Sequence, residues 1–517
     1  MIPISEAIGC APLTVADLLD WPARLYPARV AIQGSEALTF EELRERSVAR
    51  SEVLAKCGVG RFQRWGLIAE NSADFFVTLF ALARLGAVSA PIQHNQTGAR
   101  LSHAVSGARL SGVIAPPHYH LPAFDETAPL VPALASTGFD ADGHARIFGT
   151  PPAGAPARRS PLDVDPALII WSSGSTRAAR GVVLQHYAVL ANIRSNVAAL
   201  GLRDDDRTMV VLPVAHAYAL IHQCLCHLAV GAAICCPQQP LLAPSLCRQL
   251  EECEITTLTL APPVLNILLE GLRRTRRACP RLRLVTVGAS RANRDTLAEA
   301  MDLLPHARFA ITYGLTEAGP RVATGFVDRQ NIDPACVGAP LPNMEIFFRK
   351  SADGASEICV RGRSLMRSYA DAPWEEGADH SLGTSDLGEI SEGRLYVRGR
   401  LDRAINHGGV LIAAEPIEEA LLRHPAVERA RVESRPHPFW GEAPVATLSF
   451  RAGHTPPSID ELRQFCARSL SREEIPARFE VGDGTLPVPV KDRAMLSLVG
   501  ERPGELAAAH SGGSQTS

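Results

Sequence analysis

Over the forty residues from Thr208 to Cys247 the chain carries no aspartate, glutamate, lysine or arginine. A run of that length either crosses a membrane or lies inside a large core. It contains Pro213, Gly231, the break Pro237-Gln-Gln-Pro240 and three histidines, His216, His222 and His227. Breakers and imidazoles at that density are foreign to lipid, so the run reads as a buried strand–helix–strand core. The cluster His222-Gln-Cys224-Leu-Cys226-His227 has no zinc-site spacing and reads as packing within that core.

Burying such a segment takes a large fold. The 517 residues suffice for about three or four folding units. The formal charge is −3 (52 basic, 55 acidic residues), which gives no global attraction to nucleic acid or an anionic membrane. Twelve cysteines without a CxxC pair, and a start that lacks a basic leader, point to a reduced, cytoplasmic protein. Only Lys56, Lys350 and Lys491 are lysines, so 52 − 3 = 49 basic residues are arginine. An arginine in place of a lysine therefore says little here, and a lysine says more.

Helix and strand patterns alternate through the first part: a capped helix from Thr39-Phe-Glu-Glu-Leu-Arg, a strand at Trp65–Ala69, a helix from Ser72 to Leu85 and a strand from Val88. Residues 136–165, rich in Gly, Pro, Ala and Asp, read as an exposed connection. Alternation resumes with a strand at Ala167–Trp171, a helix at Val183–Leu200, and strands at Thr256–Leu260, Leu282–Val287 and Arg308–Thr312. This is the pattern of an α/β fold with a parallel-rich sheet and packed helices. A β-rich stretch follows from about residue 335, then a small α+β part with a helix at Ala414–His424. The division expected is 1–399, 400–503 and a low-complexity tail, 504–517. The arginines between Arg273 and Arg283 lack interleaved aromatics and read as a solvated helix end.

Four segments carry chemistry. Ser172-Ser173-Gly174-Ser175-Thr176 follows an apolar strand and is read as a strand-to-helix turn, where backbone N–H groups and hydroxyls can surround a polyphosphate. Tyr313-Gly314-Leu-Thr316-Glu317 offers an aromatic for a base, a hydroxyl for a phosphate and a carboxylate for Mg²⁺. Thr384-Ser-Asp386 and Gly399-Arg400-Leu-Asp402 follow, the latter leading to Gly408-Gly409.

In this order, and with Asn71-Ser72, Leu85-Gly-Ala-Val88 and Val337-Gly-Ala-Pro-Leu-Pro beside them, these segments resemble the adenylate-forming superfamily. That group includes acyl-CoA synthetases, aryl-acid ligases, peptide-synthetase adenylation domains and luciferases. The resemblance implies a large AMP-binding domain and a small mobile C-terminal lid. It implies that Tyr313 stacks on adenine, Thr316 contacts phosphate and Glu317 holds Mg²⁺. It further implies that Asp386 holds the ribose, Arg400 the ribose or phosphate, that Asp402 is the hinge, and that Gly409 lies beside a thiol tunnel. Ser172–Thr176 and Arg180 correspond to the phosphate loop, with Arg177 and Arg180 standing where glycine and lysine are usual. Ser385 stands in a glycine position, and Arg403 where a second carboxylate is common. The lysine that bridges substrate and α-phosphate corresponds to Arg493 by strict counting or to Lys491 in a shortened loop. The scarcity of lysine favours Lys491.

The same resemblance places Pro213–Leu220 in the acyl pocket, with His216 packing against the acyl group or gating the pocket; the residues alone read equally as a core histidine. An ammonium buried there without an acid costs several kcal/mol. The acid expected is therefore one without an α-amino group, aryl or aliphatic (a fatty acid). The expected reaction consumes ATP with Mg²⁺, forms an acyl-AMP, and passes the acyl group to a thiol in trans. CoA or the phosphopantetheine of a separate carrier protein would provide that thiol. Two alternatives stand beside it: an amine acceptor, and a nucleotide- or acyl-AMP-binding homologue without turnover.

Overall fold

The computed structural model describes residues 14–94, 98–115, 135–139, 145–148, 163–172, 179–237, 242–350, 356–372, 381–407, 410–437 and 441–482. Local signals set many of its elements. Thr39 caps the helix Phe40–Lys56 in a reciprocal capping box with Glu42, and Ser72 caps Ala73–Arg84. The second helix is buried almost all round, with Phe75, Phe76 and Phe80 in the principal core beside Trp65.

Two large sheets carry the fold. The thirteen-stranded sheet has a parallel centre of Arg207–Met209, Thr257–Leu260, Leu284–Val287 and Arg308–Tyr313. It continues antiparallel through Ala323–Phe326 and Cys336–Pro340 into Arg394–Arg400 and Ser381–Ser391. The eight-stranded sheet is centred on the parallel strands Arg64–Ala69 and Val88–Gln93. A five-stranded sheet from residues 404–481 holds its own core, including Ile405, Ile417, Leu421, Val432, Leu448 and Leu462. This is an α/β fold with a smaller C-terminal α+β unit, as the alternation implies.

The charge-free run folds as the parallel strands Arg207–Met209 and Ala233–Cys235 around a helical segment. That segment is a π-helix over Tyr218–Leu225 followed by one α-helical stretch, Cys226–Val230, and every residue of both is buried. Among the described residues no helix is long and apolar enough to cross a membrane. Nor does any group of three His, Cys, Asp or Glu there suit a metal. The arginine-rich helix end is mostly surface charge: Arg273 pairs with Glu299, Arg274 with Glu270 and Arg277 with Glu251, whereas Arg283 reaches inward to the buried Asp206.

Three expectations need correction. Residues 181–185 are a strand, antiparallel to Pro166–Trp171, and the helix starts only at His186. The β-branched pair Val182-Val183 is buried in that sheet, which outweighs the helical periodicity of the residues after it. The segment 172–180 therefore joins two strands, and no helix N-terminus lies directly behind it. Within 136–165 the chain also forms an antiparallel pair, Ala135–Phe139 with Ala145–Phe148. The tail 504–517 lies outside the described residues.

Candidate active site

Strand Arg308–Tyr313 ends half-buried where the large sheet turns antiparallel, and the chain doubles back at once. Gly314 permits this: a Cβ there would lie 1.9 Å from the Pro320 carbonyl oxygen. The turn holds Thr316 and Glu317 in a single 3₁₀ turn and returns as Ala323–Phe326. Asn192, buried on helix His186–Leu200, pins it from inside by donating to the carbonyls of Ala318 (3.2 Å) and Arg321 (2.9 Å).

Asp386 reaches this strand end from a neighbouring part of the same sheet. Its carboxylate accepts from the Tyr313 hydroxyl at 2.6 Å and from Arg400 Nη1 at 3.3 Å. The register that pairs Asp386 with Arg400 across adjacent strands makes the second contact. Loss of water and the nearby Asp386 charge push the Tyr313 phenol well above its usual pKa, so it stays a hydrogen-bond donor. Ser385 has φ +58°, the left-handed region that a glycine occupies without strain.

A second cluster flanks Glu317. The Tyr369 hydroxyl donates to Glu317 Oε1 at 3.1 Å, and the Arg180 guanidinium lies 3.6 Å over the Tyr369 ring. Burial and the Glu317 charge push the Tyr369 hydroxyl up to about 12. Arg180 is ion-paired with Asp371 at 2.9 Å and holds it below the usual carboxylate range. Ser172 and Arg180 close the loop between them: the Ser172 N–H donates to the Arg180 carbonyl, and the Arg180 N–H to the Ser172 hydroxyl. Tyr369 arrives by a two-residue pairing, Ser368 with Val183 and Tyr369 with Val182.

On the inner side, Asn71 clamps the start of the charge-free segment, donating to the Val210 and Leu212 carbonyls and accepting from the Val214 N–H. His216 Nε2 is enclosed without a hydrogen-bond partner, and burial lowers the pKa of its ring. Tyr218 contacts the Thr312 hydroxyl at 3.2 Å. The structure thus gathers Tyr313, Gly314, Thr316, Glu317, Asp386 and Arg400 around one strand end of the thirteen-stranded sheet, and Tyr369 links Glu317 to Arg180, and so to Ser172, of the eight-stranded sheet. Ser173, Gly174, Ser175, Thr176, Gly409, Lys491 and Arg493 lie outside the described residues, as does the side chain of Asp402. Arg403 pairs with Glu415 (2.9 Å) and Glu418 (2.6 Å) of helix Ala414–Leu422.

Sequence reading overlooked Tyr369, Asp371 and Arg321. The last has a local signal, a cation four residues past Glu317; the other two become neighbours of the site only through sheet pairing.

Fold and strand-end cluster together define an α/β enzyme class with a large nucleotide-site domain and a small C-terminal unit. The chain belongs to the AMP-binding enzyme family, which matches residues 19–370, and the AMP-binding enzyme C-terminal domain matches residues 416–488. It is 27% identical to 4-coumarate–CoA ligase 5 of Oryza sativa subsp. japonica, covering 84% of each protein. It is 26% identical to 2-succinylbenzoate–CoA ligase of Bacillus cereus, covering 90% of this chain and 94% of that one. The same fold occurs in the o-succinylbenzoate CoA synthetase of Bacillus subtilis, solved with its acyl-adenylate intermediate. The TM-score is 0.75 at 23% identity, over 94% of this chain and 98% of that one.

Proposed function

We propose that this chain activates a carboxylic acid lacking an α-amino group as an acyl-AMP and transfers the acyl group to a thiol. The observation that carries the proposal is the Tyr313–Asp386–Arg400 constellation beside an acyl-side segment without a single acid. The relatives are named as CoA ligases, which favours CoA as the thiol.

In this reading a carboxylate oxygen of the acid attacks the α-phosphorus of ATP. The bond to the bridging oxygen breaks, and pyrophosphate leaves with the electron pair. Tyr313 presents its ring to adenine, while Asp386 and Arg400 hold the ribose and its phosphate. The hydroxyls of Ser172, Ser173, Ser175 and Thr176, with Gly174, surround the departing phosphates, and Arg180 exchanges Asp371 for them. Thr316 contacts the α-phosphate, and Lys491 bridges it to the substrate carboxylate. Such chemistry rests on positioning and charge stabilisation. Glu317 suits Mg²⁺: it is a hard oxygen donor whose Oε1 alone is engaged among the described residues, and Mg²⁺ takes one or two carboxylates plus phosphates. When bound, that ion neutralises phosphate charge.

A hinge at Asp402 is proposed to re-aim the small unit for the second half-reaction. The thiolate then attacks the acyl carbon past Gly409, and AMP leaves with the electron pair. His216 packs against the acyl group. Pyrophosphate release across a panel of carboxylic acids, with hydroxylamine to trap acyl-AMP, tests the first step. Acid-dependent pyrophosphate supports it; ATP binding without pyrophosphate for any acid overturns it in favour of a non-catalytic binder. Adding CoA or an amine in place of hydroxylamine distinguishes the acceptors.

A further inference from the structure

Arg321 stands two residues before strand Ala323–Phe326, on the return of the turn that carries Glu317, and is only 2% exposed. Its guanidinium lies over the Tyr218 ring, 4.1 Å from the centroid, and its Nε donates to His222 Nδ1 at 3.0 Å. No carboxylate pairs with it among the described residues, and Nη2 is enclosed without any hydrogen-bond partner. Tyr218 and His222 belong to the π-helix of the charge-free run. A segment that supplies no charge therefore packs around one positive charge brought in from another element.

Taking a guanidinium out of water without a counter-ion is costly, and removing the charge is normally the more stable solution. Burial has pushed this group down only to about 10, so it remains a cation at neutral pH. His222 Nδ1 also lies 3.2 Å from Asn196 Oδ1 and its Nε2 3.4 Å from the Thr286 hydroxyl, and burial beside Arg321 holds the ring's pKa well below its usual value. The imidazole thus adds no charge and fixes the side of the guanidinium it touches. The two Nη groups remain, in the fork geometry that takes a carboxylate bidentately. The place is also close to the chemistry: Tyr218 contacts Thr312, the immediate neighbour of Tyr313.

We propose that Arg321 is the counter-ion for a second, distal carboxylate of the acid, so that the chain takes dicarboxylic acids. One carboxylate is adenylated and the other ends on the Arg321 fork. This rests on the acid-activating reading of the same site.

Two acyl-sulfamoyl adenosines of equal length, one tail ending in a carboxylate and the other in the carboxamide, test it by calorimetric binding to the full chain. The wild-type protein is expected to bind the carboxylate tail about 10- to 100-fold more tightly, the range of a charge-assisted pair. R321M is expected to abolish or reverse that preference, and R321K to keep part of it. Without ligand, R321M is expected to melt no lower than the wild type, because a buried unpaired charge has gone. Equal or weaker binding of the carboxylate tail by the wild type, with the carboxamide still bound, overturns the dicarboxylate inference and leaves the acyl-adenylate site standing. Failure of both mimics to bind overturns both. An R321M that retains the preference and melts lower makes Arg321 structural and likewise overturns it. Should R321M not fold, the wild-type and R321K measurements decide alone.

Discussion

The two flanks of strand Arg308–Tyr313 solve their electrostatics in opposite ways. On the outer flank the charged groups answer one another: Asp386 meets Tyr313 and Arg400, and Arg180 meets Asp371. On the inner flank Arg321 has an aromatic face and a neutral imidazole, and its charge goes unanswered among the described residues. The outer flank is balanced before anything binds, so a ligand there competes with existing partners. The inner flank has an unanswered charge, so a complementary ligand gains more than it displaces.

Asp386→Ala should break the outer flank hardest. It removes a charge-assisted acceptor from both Tyr313 and Arg400, and should lower kcat/KM for pyrophosphate release by about 10²- to 10³-fold. A loss below about tenfold would mean that the outer cluster is structural. Next comes pH. His186 opens the helix that carries Asn192, accepts from the Val15 N–H at 3.0 Å, and is held down to about 4 by burial, with Asp165 opposing. An unfolded histidine takes its proton near 6.5, so the unfolded state binds more protons below that value. The stability is complete above about 6.5 and is lost as pH falls from 6.5 towards 4, by up to about 3 kcal/mol. Urea titrations at several pH values should show this slope, and His186→Gln should flatten it.

Tyr369→Phe should act more gently. It frees Glu317 Oε1 and leaves the ring beneath Arg180, so the Mg²⁺ requirement should shift by up to about tenfold with little change in melting temperature. An unchanged Mg²⁺ titration would separate Tyr369 from the metal side. The smallest effect is expected from Ser385→Gly, which relieves a left-handed residue and should stabilise by about 1 kcal/mol in denaturant titration. Destabilisation instead would show that the Ser385 side chain contributes more than its backbone costs.

The outer flank was legible in the sequence because its chemistry is local. Tyr313 to Glu317 and Thr384 to Asp386 are contiguous words, and Thr39 with Glu42 announces its helix within four residues. The inner flank was legible only as an absence of charge. What fills that absence is Arg321, brought in by a turn almost a hundred residues further along, and no periodicity encodes such a meeting. Tyr369 was hidden for a similar reason, since only a two-residue sheet pairing brings it beneath Arg180. The misread helix start at Val183 shows the same limit: burial between neighbouring strands decided what local pattern could not.

The reciprocal bonds between Ser172 and Arg180 have an evolutionary consequence. They fasten both ends of the loop to paired strands, so the sheet does not depend on what lies between. Sequence change between the two anchors is therefore expected to leave the pairing of Pro166–Trp171 with Gly181–Gln185 in place. The scaffold and the phosphate contacts proposed for that loop would then answer to selection separately.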